Sequence, residues 1–163
     1  MNETNGYSKW YRHFLQYGAV AVGGVLGALL RETIELITPA SYGFPVATLL
    51  INWSGSFVLA WFYTITIWRF KVPQWVRAGI GTGVIGAYTT FSTFAVETNS
   101  LLVKGQIFIA GIYVVLSVIG GFFLALLATR LAGEKEESLQ DGESSRERVV
   151  DSFGLKDGES IGD

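Results

Sequence analysis

The stretch that decides the fold runs Gly79-Ile-Gly-Thr-Gly-Val-Ile-Gly-Ala-Tyr-Thr-Thr-Phe-Ser-Thr-Phe-Ala-Val-Glu97. It lies in an apolar segment, yet each of its glycines costs about 1 kcal/mol relative to alanine inside a helix. The hydroxyl side chains that follow compete for backbone hydrogen bonds. Irregular backbone survives at membrane depth only inside protein or beside a watery cavity. We therefore expect a broken helix at a functional centre; the alternative is an unbroken helix with a small-residue packing face.

The composition is apolar and restricts the chemistry available to the chain. It has 163 residues, of which 50% are hydrophobic and 16% are charged, and this length suits one domain. There is no cysteine, which excludes disulfides, thiolate metal sites and cysteine nucleophiles. The single histidine, His13, precedes the first apolar segment, where a solvated side chain is the simplest interpretation. We expect neither an enzyme nor a nucleic-acid partner, since no nucleophile motif or basic face is present.

Four apolar segments are each long enough to cross the roughly 30 Å hydrocarbon core of a bilayer as helices. They cover about residues 14–36, 46–68, 74–103 and 105–131. The third is longer than the core requires, so its length also favours a break. We predict an all-α, multi-pass protein of the cell membrane with four transmembrane helices, the third of them broken.

Polar segments flank this membrane domain. We divide the chain into a polar N-terminal segment, residues 1–13, a four-helix domain, residues 14–132, and an acidic tail, residues 133–163. From Glu134 onward ten acids and four bases give a net charge of −6, whereas the rest of the chain carries +4. The tail is poor in aromatic residues and is predicted to be disordered, with a short helix over 146–153 as an option.

Polar side chains inside the predicted spans are candidate functional residues. Asn52 either bonds to another helix or faces an ion path, because an amide in hydrocarbon needs a partner. Glu97 either serves a functional site or snorkels to the nearby interface. Arg31 lies beside acidic residues near the end of its span, where local pairing competes with a direct role. Tyr113 and Ser117 share one face of the fourth helix, which either lines a path or packs.

A familiar nucleotide-binding pattern occurs inside the deciding stretch. Gly81-Thr-Gly-Val-Ile-Gly86 matches G-x-G-x-x-G. We reject the match because the sequence lacks a preceding soluble strand and the acidic residue expected about twenty positions further on.

Three motifs follow one another along the membrane domain. The first is Gly23-Gly-Val-Leu-Gly-Ala-Leu-Leu-Arg31, and the second is Pro45-Val-Ala-Thr-Leu-Leu-Ile-Asn52 with Gly55-Ser-Phe57. The third is Gly86-Ala-Tyr-Thr-Thr-Phe-Ser-Thr-Phe94. Together they resemble the small fluoride channels of the Fluc or CrcB family over about residues 22–127.

This resemblance implies a passive, fluoride-selective channel that exports fluoride from the cytoplasm and lowers its toxicity. It also implies an antiparallel dimer of four-helix subunits with two pores and a structural, non-transported sodium ion at its centre. The backbone carbonyls of Gly86 and Thr89 from both subunits would hold the sodium. Arg31 would be the family's structural basic residue at the end of the first helix. Ala47 stands where the family usually has glycine, and Gly121 where some members carry a hydroxyl.

The residues that the resemblance assigns to the fluoride path are Asn52, Phe91, Thr93, Phe94, Tyr113 and Ser117. Fluoride is strongly hydrated, so a path must replace the hydrogen bonds of water with its own donors. Hydroxyl and amide groups can donate these bonds. Aromatic ring edges carry partial positive charge and can also meet an anion.

Basic residues are distributed unevenly between the two predicted membrane faces. Four spans place both termini on one side, which holds seven of the nine bases found at the two faces. The seven are Lys9, Arg12, Arg69, Lys71, Arg77, Arg130 and Lys135, against Arg31 and Lys104. This bias predicts cytoplasmic termini. A dual-topology homodimer would show almost no bias, so a paralogue of opposite topology is the alternative partner.

Two other functions remain open at this point. A four-helix, proton-coupled multidrug transporter would also be an antiparallel dimer, but it needs a carboxylate deep in the membrane. The first span here has no acidic residue before Glu32. A non-transporting membrane scaffold would use the acidic tail to recruit partners.

Overall fold

The computed structural model describes the backbone of residues 4–38, 43–68, 70 and 72–152, and the side chains within these ranges from Trp10 to Gly133. Every element in these ranges is helical. The elements are α1 (Thr4–Ile37), α2 (Val46–Trp68), α3 (Gln74–Ala78), a π-helical segment (Gly79–Ile85), α4 (Gly86–Tyr88), α5 (Phe91–Val103) and α6 (Ile107–Ser152). The all-α prediction is confirmed for the part of the chain that is described.

The third predicted span is interrupted after Tyr88. Thr89 has φ −75° and ψ 154°, and Thr90 has φ −142° and ψ 121°, so both residues are extended. The Thr93 backbone N–H donates to Thr90 Oγ1 at 3.1 Å, and this bond caps the start of α5. The predicted break is therefore present, and it falls in the hydroxyl cluster.

The glycine cluster does not break the helix but widens it. Gly79–Ile85 forms a π-helical segment, whose larger turn often marks a functional site. This segment packs against α1. A Cβ atom on Gly27 of α1 would collide with the Val84 carbonyl oxygen, so only glycine permits this close approach. The glycines thus serve helix packing on one side of the break.

The second packing layer joins α2, α5 and α6. A core of buried side chains, Leu49, Leu101, Ala110 and Tyr113, connects the three helices. Gly55 of α2 lies against the break, where an added Cβ would collide with Thr89 Cγ2. The extended residues between α4 and α5 are thus pressed directly against α2.

Within the part of the chain that the structure describes, two helical stretches are long and apolar enough to cross a membrane, Val46–Ile67 and Ile107–Gly133. Their outer surfaces are apolar as well; Phe108, for example, is 80% exposed. So large an exposed apolar surface is typical of contact with lipid or a partner chain. The third predicted span is divided among helices that are each too short to cross a membrane alone. The number of times that the chain crosses the membrane therefore stays a prediction.

The two polar ends of the chain are more helical than the sequence suggests. Helix α1 begins at Thr4, inside the predicted N-terminal segment, and α6 continues to Ser152. The expected disorder from residue 133 onward therefore differs from the structure up to Ser152. The segment from residue 133 to Ser152 is rich in Glu, Lys, Gln and Arg, which favour helix, and it contains no proline. Because it continues the existing helix α6, it also avoids the cost of nucleating a new helix. Residues 1–3 and 153–163 lie outside the described part.

Candidate functional site

A cavity of about 320 Å³ lies beside the interruption between α4 and α5. We call it the helix-break cavity. Its lining residues come from α2, the break, α5 and α6; those used below are Asn52, Thr89, Thr90, Phe91, Phe94 and Ser117. Four of the six residues predicted for the path therefore meet around one cavity.

Asn52 fixes the backbone of the break from α2. Its Nδ2 donates to the Thr90 carbonyl oxygen at 2.9 Å, and its Oδ1 accepts from the Thr90 N–H at 2.9 Å. This two-point bond replaces the helical partners that Thr90 would otherwise have. The amide nitrogen carries two protons, so one remains for a group in the cavity. Both alternatives for Asn52 thus have structural support: it bonds to another helix and it lines a cavity.

Two carbonyl groups at the break are released from helical bonding. In a continuous helix Gly86 would accept from the Thr90 N–H and Thr89 from the Thr93 N–H. Here those donors turn to Asn52 Oδ1 and Thr90 Oγ1 instead. Gly86 keeps only a long contact of 3.5 Å from Thr89 Oγ1 among the bonds of the described residues. Hard cations favour such oxygen ligands, so the two carbonyls fit the predicted sodium ion.

Two aromatic rings form one wall of the helix-break cavity. The ring centroids of Phe91 and Phe94 lie 5.8 Å apart with 44° between the ring planes. Phe94 packs against the core, whereas Phe91 is 80% exposed although it lines the cavity. The wall of the cavity is therefore incomplete in the single chain.

The Ser117 hydroxyl is a further polar group in the lining of this cavity. Its Oγ is buried and has no hydrogen-bond partner among the described residues. A buried hydroxyl without a partner is costly and indicates a ligand or water. Ser117 therefore offers a donor to whatever occupies the helix-break cavity.

A second cavity, of about 460 Å³, lies along α5 from Thr93 towards the end of the helix. We call it the Glu97 cavity. Thr48 Oγ1 donates to Glu97 Oε1 at 2.9 Å, and Tyr113 Oη donates to Glu97 Oε2 at 2.7 Å. Both carboxylate oxygens are thus bonded by residues of α2 and α6, so Glu97 does not snorkel.

Of the three other predicted residues, Thr93, Tyr113 and Arg31, only Thr93 lines one of the two cavities. Thr93 lines the Glu97 cavity and accepts from Thr90 Oγ1 at 3.0 Å. Tyr113 is fully buried, and the centroid of its ring lies 5.2 Å from the centroid of the Phe94 ring. Tyr113 therefore lies behind the aromatic wall. Arg31 lies outside both linings, and its Nε is 3.8 Å from Glu35 Oε1 in a local ion pair. The structure thus agrees with the first interpretation of Arg31, in which it pairs locally with a neighbouring acidic residue.

Thr48 is the residue that the sequence reasoning missed. It is 1% exposed and bonds directly to Glu97. Its spacing from Asn52 could have identified it. Thr48, Asn52 and Ser56 recur every four residues and so share one face of α2.

An interrupted helix beside a cavity lined by donors is an arrangement of ion-handling membrane proteins. The model of the family described as CrcB-like protein, Camphor Resistance (CrcB), matches residues 18–129. The chain belongs to this family.

Curated relatives agree with that assignment. A protein of Geobacillus kaustophilus named fluoride-specific ion channel FluC 2 is 42% identical over 122 residues, covering 74% of this chain and 94% of the relative. One of Carboxydothermus hydrogenoformans, also named fluoride-specific ion channel FluC 2, is 45% identical over 121 residues, covering 72% and 87%. The fluoride-specific ion channel FluC of Thermococcus gammatolerans is 42% identical over 114 residues, covering 70% of this chain and 93% of the relative. These relatives are named as channels and not as enzymes, which confirms both the predicted resemblance and the expectation that the chain is no enzyme.

Proposed function

We propose that this chain is a subunit of a passive, fluoride-selective channel and that the helix-break cavity lies on the fluoride path. The observation that carries the proposal is the cavity itself, where two phenylalanine rings, an amide and a free hydroxyl converge. The names of the relatives support the same ion.

The lining suits a small, strongly hydrated anion. Ser117 Oγ and the second Asn52 N–H supply hydrogen bonds that replace water. The edges of the Phe91 and Phe94 rings supply partial positive charge. Selectivity then follows from the width of the path and the number of donors at close range. A larger halide is held less tightly by the same donors and fits less well beside the ring edges.

Transport through such a path needs no turnover chemistry. A negative-inside membrane potential drives an anion outward with about 2.3 kcal/mol per charge per 100 mV. The channel therefore exports fluoride across the cell membrane and lowers its concentration in the cytoplasm.

The functional unit that we propose is an antiparallel dimer. A second subunit would cover the exposed Phe91 and complete the wall of the cavity. A sodium ion held by the Gly86 and Thr89 carbonyls of both subunits would supply fixed positive charge near the path. Purification with N-methylglucamine in place of sodium should lower fluoride efflux, and full activity without any alkali cation would contradict this part.

We prefer a channel to a proton-coupled transporter because of Glu97. A transporter of that class needs a carboxylate that exchanges protons and binds a cation. Both oxygens of Glu97 are already bonded to Thr48 and Tyr113.

The proposal is tested by fluoride efflux from proteoliposomes with two phenylalanine variants. Phe91→Ile should abolish efflux, because it removes ring edges from the cavity. Phe108→Ile is the matched control, since Phe108 is equally exposed at 80% and lies outside the lining of both cavities. Phe94→Ile should behave like Phe91→Ile if size-exclusion chromatography shows an intact assembly. Full efflux in both cavity variants would contradict the proposal.

A reporter fused to the C-terminus separates the two kinds of dimer. Labelling from the cytoplasmic face alone would indicate fixed orientation and a paralogous partner of opposite topology. Equal labelling on both faces would indicate a homodimer.

A further inference from the structure

A third cavity, of about 660 Å³, lies between the start of α1 and the start of α3. We call it the Arg12 pocket. The side chains of its lining that can donate hydrogen bonds are Tyr11, Arg12, His13, Gln16, Gln74 and Trp75. None of the described residues that line it also lines the helix-break cavity or the Glu97 cavity.

The charge of the Arg12 pocket is positive. Among the residues that the structure describes, its lining contains no Asp or Glu, and Arg12 is exposed. Among the side chains that the structure describes, the only ion pair joins Arg31 and Glu35 near the other end of α1. The guanidinium of Arg12 is therefore available, and its fork of N–H donors matches the oxygens of a phosphate group.

The aromatic residues of the pocket indicate where it lies. Tyr11 is 64% exposed and Trp75 is 43% exposed, at the ends of two helices that continue into the apolar domain. Tyrosine and tryptophan favour the boundary between lipid and water. Phe14, one helical turn further along α1, is also exposed and can lie against acyl chains. The pocket thus combines an exposed guanidinium with exposed aromatic residues of the kind found at the level of lipid headgroups.

We propose that the Arg12 pocket binds the phosphate of an anionic membrane phospholipid. Arg12 and His13 face the phosphate, Gln16 and Gln74 donate to the headgroup, and the rings of Tyr11 and Trp75 hold it at the interface. The inference rests on the membrane setting of the proposed channel but not on the ion that it conducts. A soluble phosphate ester is the other source of the same chemistry.

The test uses the full-length protein in detergent and counts retained lipids by native mass spectrometry. Phosphatidylglycerol should be retained in preference to phosphatidylcholine. Arg12→Gln should lower retention of phosphatidylglycerol about fivefold, because each basic residue near an anionic surface contributes about 1 kcal/mol. Arg130→Gln is the matched control; Arg130 is also exposed, lies on the same predicted membrane face and is not part of the pocket. Its retention should equal that of the wild type.

Several results would overturn the lipid site. Equal retention in Arg12→Gln and the wild type would do so, and so would an equal loss in Arg130→Gln, which would indicate unspecific surface charge. Displacement by glycerol 1-phosphate at the same concentration would assign the pocket to a soluble ester instead. Fluoride efflux from the same preparations separates this proposal from the channel. If the wild type retains the lipid but shows no fluoride efflux, only the channel proposal is contradicted. If the wild type shows efflux but Arg12→Gln retains as much lipid as the wild type, only the lipid site is contradicted.

Discussion

The helix-break cavity and the Glu97 cavity both contain side chains that can donate hydrogen bonds. They differ in whether the donor protons are already bonded within the protein. At Glu97, the hydroxyl groups of Thr48 and Tyr113 donate to a carboxylate, so their protons are already used. At the break, Ser117 Oγ has no partner, and Asn52 retains one N–H after bonding to Thr90.

This difference teaches which group can receive an anion. A fixed carboxylate competes with fluoride for hydroxyl protons, whereas a free hydroxyl beside aromatic ring edges does not. We infer that the Glu97 cluster chiefly joins three helices, while the helix-break cavity offers the donors. Substitutions at the two places should therefore affect different measurements, namely stability at Glu97 and ion flux at the break.

Among substitutions of the polar groups in these two cavities, the largest effect is expected from a negative charge inside the helix-break cavity. Asn52→Asp should lower fluoride efflux about a thousandfold, because two like charges about 4 Å apart repel by about 4 kcal/mol at an effective dielectric constant of about 20. Asn99→Asp adds the same charge at an exposed position of α5 outside both linings. Efflux from proteoliposomes should stay near the wild-type rate in that control. Equal rates in both variants would contradict the position of the path.

A smaller effect, on stability, is expected at the Glu97 cluster. Glu97→Ala leaves the fully buried Tyr113 hydroxyl without its acceptor, which costs about 1–3 kcal/mol. Glu97→Gln keeps an acceptor oxygen and should cost less. The measurement is the free energy of unfolding in detergent, followed by intrinsic fluorescence. An unchanged value for Glu97→Ala would show that the cluster does not join the helices.

The smallest effect is expected from removing one donor of the path. Ser117→Ala should lower fluoride efflux about tenfold without lowering stability, since a hydrogen bond to a charged group contributes about 1.5–3 kcal/mol and the other donors remain. Ser54→Ala is the control, because the Ser54 hydroxyl already donates to the Leu50 carbonyl at 2.7 Å. If Ser117→Ala conducts like the wild type, the free hydroxyl is not part of the path.

Local features of this fold were predictable from the sequence. The helix α2 was predicted with the bounds Val46–Trp68 that the structure has. The break followed from neighbouring residues, because the hydroxyl cluster at Thr89 and Thr90 competes for backbone bonds close in sequence. The π-helical form of the glycine segment was not predictable in this way, since it depends on how closely α1 approaches.

Long-range bonds were not predictable from a single sequence. Asn52 bonds to a residue 38 positions away, and Thr48 bonds to one 49 positions away. Spacing indicates that two side chains share a helix face, but it does not say which helix that face meets. The Glu97 cluster was therefore missed as a unit although Glu97 itself was noticed.

The central claim is that the donors of the helix-break cavity pass the smallest halide and exclude larger ones. It is tested most directly by loading proteoliposomes with equal fluoride and chloride and following both ions with selective electrodes. We expect rapid release of fluoride while chloride stays inside. Release of chloride at the same rate, or release of neither ion, would contradict the account.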